Sequence, residues 1–168
     1  MSRAAHPLVV ADAGPLIGLA AIGAHAWLKV LFGGVIIPES VATELRLESA
    51  MPGAKALQEA VREGWLKVVP VHGEIPAYLE TALDQGEAAA IMLAKQTGAR
   101  LLIDEHRGRT AARREGVAVF GSGAVLLKAK QRKMIPEVRP YLDALSDVGY
   151  RLSGNLLREL LRLAGELR

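Results

Sequence analysis

Apolar residues gather along this chain in short runs and helical stripes that alternate. Leu8-Val9-Val10-Ala11 is an apolar run with two β-branched valines, which suits a strand buried on both faces. Gly14 and Pro15 stop it, and proline is well placed in the first turn of a helix. Asp12 therefore falls at the carboxyl end of a central parallel strand, facing a helix start. Open α/β sheets place ligands at that edge. From Pro15 to about Leu31 the spacing of Leu16, Leu19, Ala20, Ala26 and Val30 predicts a helix, weakened by Gly23 and closed by Gly33-Gly34. Val35-Ile36-Ile37 reads as a short buried strand. Pro38 then starts a helix whose stripe is Val41, Ala42 and Leu45, bordered by Glu44.

The alternation continues. Residues 54–63 predict a helix ended by Gly64, and 65–71 a strand that Pro70 either places at an edge or ends early. A short helix follows over 77–83. Asp84 with Glu87 three residues on fits a capping box, and Glu87 opens an alanine-rich helix that packs closely on the sheet. Arg100-Leu101-Leu102-Ile103-Asp104 repeats the opening pattern, an apolar strand ending on Asp, and a helix to about Glu115 follows it. Val117-Ala118-Val119-Phe120 is the last parallel strand. Gly121-Ser122-Gly123 turns into a helix running to Lys133 with a basic tail. A helix from Pro136 to about Asp147 and an amphipathic helix from Ser153 to Leu167 complete the chain. Strands alternating with helices predict a parallel, doubly wound α/β sheet. The expected organisation is one domain, with an α/β core over 8–133 and C-terminal helices over 134–168.

Composition narrows the classes. The 168 residues are 51% hydrophobic and 23% charged, a globular balance that argues against disorder. No apolar run approaches the roughly 20 residues that span a bilayer, and residues 1–7 lead into the first strand without a signal-peptide pattern. The expectation is a cytoplasmic chain with no membrane association. The lack of cysteine removes disulfides, zinc–thiolate sites and thiol nucleophiles. Residues 1–99 carry 7 Lys and Arg against 10 Asp and Glu, and residues 100–168 carry 14 against 8. A carboxylate-bearing half joined to a basic half suits an acidic substrate approaching a metal. Uneven surface charge is the simpler alternative. Aromatics at 4% leave little for a base-stacking platform.

Two strands ending at Asp12 and Asp104 put both carboxylates on one sheet edge, and Glu44 and Glu87 sit on helices beside them. Four acids converging without matched lysines repel at neutral pH. A divalent cation relieves that repulsion, and oxygen ligands suit Mg²⁺ or Mn²⁺. Such an ion activates water and stabilises charge on a phosphate. Each acid alone has a plainer reading. Asp12 and Asp104 could cap helices, and Glu44 could be a surface residue at the edge of its stripe. Arg107 and Arg109 are candidates for substrate phosphate, with solvated charge as the alternative. His6, His25, His72 and His106 show no zinc-ligand spacing. Ser122 lacks the flanks of a nucleophile elbow, and no dinucleotide or P-loop motif is present.

Taken in order, Asp12-Ala13-Gly14-Pro15-Leu16-Ile17, Leu83-Asp84-Gln85-Gly86-Glu87-Ala88, Leu101-Leu102-Ile103-Asp104-Glu105-His106-Arg107-Gly108-Arg109 and Gly121-Ser122-Gly123, with Ile135-Pro136, resemble the motifs of the PIN-domain superfamily. They are most similar to a prokaryotic group within it. The resemblance implies a three-layer α/β/α fold with a central parallel sheet and an extra C-terminal helical segment. It also implies a Mg²⁺- or Mn²⁺-dependent endoribonuclease acting on RNA, often the toxin of a toxin–antitoxin pair and often a homodimer. Carried over by position, the acids are Asp12, Glu44, Glu87 and Asp104, all as metal ligands and catalytic groups, with Glu105 as an alternative fourth acid. Ser122 matches a small hydroxyl position near the site and joins Arg107 and Arg109 as a candidate for substrate phosphate. Gly14 departs from the Ser or Thr common at its position. That departure keeps open a non-catalytic nucleic-acid-binding module of the same fold. A phosphatase or branched-DNA nuclease using the same acids is the other alternative.

Overall fold

The structure, a computed structural model, describes residues 8–167. The reading of residues 1–7 lies outside them. The elements run β1 (Val9–Ala11), α1 (Ala13–Ala21), α2 (Trp27–Phe32), β2 (Val35–Ile37), α3 (Glu39–Leu45), α4 (Ala54–Glu63) and β3 (Leu66–Val68). They continue with α5 (Ala77–Ala82), α6 (Gln85–Thr97), β4 (Arg100–Leu102), α7 (His106–Arg114), β5 (Val119–Phe120), α8 (Ser122–Gln131), α9 (Arg139–Asp147) and α10 (Gly154–Leu163).

The five strands make one sheet in the order β3-β2-β1-β4-β5, and every pairing is parallel. With helices on both faces this is the three-layer α/β/α arrangement expected. The central strands β1 and β4 are short but almost closed to solvent, whereas the edge strand β3 exposes Lys67 and Val68. Val9, Val10, Leu101 and Leu102 are fully buried, because a parallel sheet is covered on both sides. The chain builds outward from β1 to β2 and β3, then returns to add β4 and β5 on the other side. The strand order thus reverses between β1 and β4, which opens a crevice at their carboxyl ends. Ala11 pairs with Leu102, and the Asp12 N–H donates to the Leu102 carbonyl at 2.9 Å. That register sets Asp12 beside the exit of β4.

The helix expected over 15–31 is two helices. Gly23 adopts φ 74°, a left-handed conformation that glycine tolerates, and the chain turns there before α2. Position 23 does more than weaken the helix, because it reverses the backbone's handedness. The helix expected from Pro136 begins at Arg139 instead. Its start is held by a distant carboxylate: the Val138 and Arg139 N–H groups donate to Glu166 at 2.8 and 3.0 Å. Lys130 in the basic tail of α8 donates to the same Glu166 at 2.9 Å, so this lysine ties down the C-terminal segment. The last helix ends at Leu163 rather than Leu167. Leu160 and Leu161 are buried against the core, whereas Leu156, Leu163 and Leu167 are exposed. Leu160 lies over Gly123, where a Cβ would meet it at 2.6 Å, so α10 rests on the start of α8. Among the described residues no helix is long and apolar enough to cross a membrane.

Candidate active site

The crevice between β1 and β4 is a cleft of about 780 Å³. Six carboxylates line it: Asp12, Glu44, Asp84, Glu87, Asp104 and Glu105. Among the described residues, no ion pair involves any of the six.

Asp12 occupies the N-cap position of α1, yet its side chain makes no capping hydrogen bond. It is 7% exposed, and its Oδ1 is buried without a partner. A buried carboxylate oxygen without a partner costs free energy on the order of a lost hydrogen bond or more. Burial pushes the Asp12 carboxyl up to about 7, partly offset by the Ala13 N–H and reinforced by Asp84, Glu44 and Asp104. The capping alternative therefore fails for this residue.

The other acids are held in different ways. Asp84 caps α6 as the capping box predicts, accepting from the Glu87 N–H at 2.8 Å. Glu87 faces the cleft from the first turn of α6. Burial pushes its carboxyl to about 7, helped by Asp84, Asp12 and Glu105 and opposed by the Asp84 N–H. Glu44 is raised by burial and by Asp84, and the Gly86 N–H counters the shift. Its carboxylate lies directly on the Gly86 Cα, where a Cβ would collide with Oε1. The glycine in Leu83-Asp84-Gln85-Gly86-Glu87 is thus a space for an acid from α3. Glu105, not Asp104, caps α7, accepting from the Gly108 N–H at 2.9 Å. Asp104 accepts from the Ser122 N–H at 2.8 Å and the Ser122 Oγ at 2.5 Å. It also accepts a short hydrogen bond from the Tyr150 hydroxyl.

Two sequence expectations need correction. Ser122 is fully buried and directs its hydroxyl to Asp104, so it does not face a substrate. Arg107 turns to the far side of α7, where it lines a separate cavity of about 420 Å³ with Thr81, Leu83 and Arg114. Arg109 does line the cleft, together with Arg113, Arg151 and His106. Arg113, Arg151 and Tyr150 have no signal in the local pattern. Tyr150 and Arg151 come from the connection between α9 and α10, whose place over β1 and β4 is a tertiary fact.

Among the described residues no three Asp, Glu or His side chains are posed close enough to hold a metal ion. Asp104 is held at the cleft wall by Ser122 and Tyr150, and Glu44 rests on Gly86. The donor chemistry nevertheless fits a hard divalent cation. Asp12 Oδ1 lacks a partner, the surrounding ligand atoms are carboxylate oxygens, and burial and then neighbouring carboxylates make two of these carboxyls resist ionisation.

Comparison with one solved structure agrees with the fold. The chain is similar to a PilT N-terminus domain protein from the hyperthermophilic archaeon Sulfolobus solfataricus P2, with a TM-score of 0.56, 17% identity, and coverage of 73% of this chain and 93% of that one. It also aligns with a domain of a functionally unknown protein from Methanocaldococcus jannaschii at a TM-score of 0.46 and 22% identity, over 68% of this chain and 90% of that one. No curated protein matches. A family model described as a PIN domain matches residues 8–166. PIN domains are commonly nucleases, typically with divalent metals. On a match that spans nearly all of its length, the chain belongs to the PIN-domain family.

Proposed function

We propose that this protein is a divalent-metal-dependent endoribonuclease that hydrolyses RNA phosphodiester bonds in the acidic cleft. The observation that carries the reading is Asp12: a buried carboxylate at a helix start that caps nothing, with one oxygen unpartnered among further acids. A cation bound there would offset the cost of burying this carboxylate.

Asp12 and Asp104 would hold Mg²⁺ or Mn²⁺, with Glu87 and Glu44 completing the set. When bound, the ion supplies Lewis acidity toward a phosphate oxygen and neutralises the carboxylates. Glu87 faces the cleft from the first turn of α6, where it would orient the attacking water. Asp104 is preferred over Glu105 because it directly follows Ile103, whose N–H still pairs with the Phe120 carbonyl at the end of the β4 ladder. Arg109, Arg113 and Arg151 stand on the cleft wall and bind phosphates on either side of the scissile one. The toxin role, the antitoxin partner, the homodimer and the cytoplasmic location rest on the motif resemblance alone.

The test is cleavage of a mixed RNA pool with Mn²⁺, with EDTA, and by Asp12→Asn. Loss of an interaction worth several kcal/mol in the transition state lowers the rate at least about a hundredfold. Cutting is expected with Mn²⁺, and it is expected to disappear with EDTA and in the variant. A folded protein that binds Mn²⁺ and RNA but cuts neither RNA nor branched DNA would instead be a non-catalytic binding module.

A further inference from the structure

We propose that Tyr150 is a positioning residue of the acidic cleft. Its hydroxyl, delivered by the connection between α9 and α10, holds the Asp104 carboxylate in the orientation that faces the cleft. The proposal rests on the nuclease reading and adds to it a residue from outside the α/β core.

An ionised carboxylate offers about four acceptor positions. On Asp104 three are occupied: one on Oδ1 by the Ser122 N–H, and two on Oδ2 by the Ser122 and Tyr150 hydroxyls. A single free direction remains, on Oδ1. Ser122 grips the carboxylate from the start of α8, and Gly121 leaves the room, since a Cβ there would lie 2.5 Å from Oδ1. Tyr150 grips the same Oδ2 from the connection between α9 and α10. Hydrogen bonds to an ionised acceptor are shorter and stronger than neutral ones, so the pair of hydroxyls restricts rotation of the carboxylate more than either alone.

The tyrosine is itself held in place. Its N–H donates to the Leu145 carbonyl at 2.9 Å, closing the end of α9, and Gly149 at φ 86° makes the turn. Its ring lies across α1 on two glycines. A Cβ at Gly18 would stand 3.0 Å from Cδ2, and one at Gly14 would stand 3.7 Å from the hydroxyl. The Gly18 space is what admits the ring. At Gly14 the contact is an ordinary one, so a serine there fits and presents a hydroxyl to the same region from α1.

These facts define the test on the full chain. The wild type, Tyr150→Phe, and Tyr150→Phe combined with Gly14→Ser are compared by calorimetric Mn²⁺ titration without RNA, by melting of the metal-free protein, and by single-turnover RNA cleavage. Phenylalanine keeps the ring on Gly14 and Gly18 and removes only the hydroxyl. Loss of a group that orients a ligand costs roughly 10- to 100-fold in metal affinity. That loss is expected in Tyr150→Phe at nearly unchanged melting, with partial recovery in the double variant. Unchanged Mn²⁺ affinity and cleavage in Tyr150→Phe overturn the proposal. Tighter binding overturns it too, because the hydroxyl would then compete with the ion. A weakened affinity matched by a lowered melting temperature, and not recovered by Gly14→Ser, assigns Tyr150 to packing and also overturns it. A wild type without Mn²⁺ affinity removes the nuclease reading and this proposal together, whereas a wild type that binds and cuts isolates the failure to Tyr150.

Discussion

Asp12 shows how a single residue ties the fold to the chemistry. Its carboxyl is raised from 3.8 to about 7, and that of Glu87 from 4.5 to about 7, in each case first by burial. The sign of the linkage follows. Between about pH 4 and 7 the folded chain keeps protons that the unfolded chain has already released, so stability falls as pH rises through that window. Below it both states are protonated, and above about 7 the loss is complete. Melting of the metal-free protein is therefore expected at lower temperature at pH 7.5 than at pH 5.5. Asp12→Asn should flatten this slope and raise the midpoint at pH 7.5 by a few degrees, since 1 kcal/mol moves it about 2–4 °C in a domain of this size. A variant that melts lower than the wild type at pH 7.5 would mean that Asp12 is a structural residue. The position of Asp12 was legible from Leu8-Val9-Val10-Ala11 followed by Gly14-Pro15. That it caps nothing was not, because capping depends on the rotamer chosen against neighbours far away in sequence.

At the scale of elements, the start of α6 is built around the side chain of another helix. Gly86 leaves the space in which Glu44 of α3 rests. Gly86→Ala would ordinarily favour a helix by about 1 kcal/mol. Here the new Cβ displaces only the end of a long side chain, so thermal stability is expected to stay within about 1 kcal/mol of the wild type. Mn²⁺ affinity is expected to fall severalfold, because Glu44 leaves the cleft wall. Calorimetric titration beside a melting curve separates the two effects, and an unchanged affinity would remove Glu44 from the site. Periodicity located most elements well: residues 54–63 are helical as read, and Pro70 follows a strand that does lie at the sheet edge. It erred where a local pattern is overridden. Gly23 breaks a plausible apolar stripe by turning left-handed, and α9 starts late because Glu166 accepts from the N–H groups at its entrance.

The whole molecule separates charge in a way that the two halves of the chain foreshadow. Asp12 after β1, Glu44 of α3 and Glu87 of α6 line the cleft, and Arg109, Arg113 and Arg151 from the basic half line it with them. If these arginines bind phosphates, RNA affinity must fall with salt, by about 0.7 in logarithmic slope per contact on a single strand. Removing all three as alanines should reduce the slope by about 2. Fluorescence anisotropy in EDTA measures this on uncleaved RNA, and an unchanged slope would place the substrate elsewhere. Arg107 and Arg114 face a different cavity, so basic residues of one helix are divided between two surfaces by the 100° step of the helix.

The sequence by itself determined the strands, their parallel arrangement and the edge on which Asp12 and Asp104 emerge, because buried strands and their stops are local patterns of apolar residues, glycine and proline. It also placed Glu44 and Glu87 on helices that border that edge. The tertiary structure alone decided which face each polar group presents. It turned Ser122 inward to Asp104, gave the α7 cap to Glu105, sent Arg107 away from the cleft and brought Tyr150 across forty-six residues to the Asp104 carboxylate. Such contacts are made between elements that share no local pattern, and their geometry exists only once the sheet and its helices have packed.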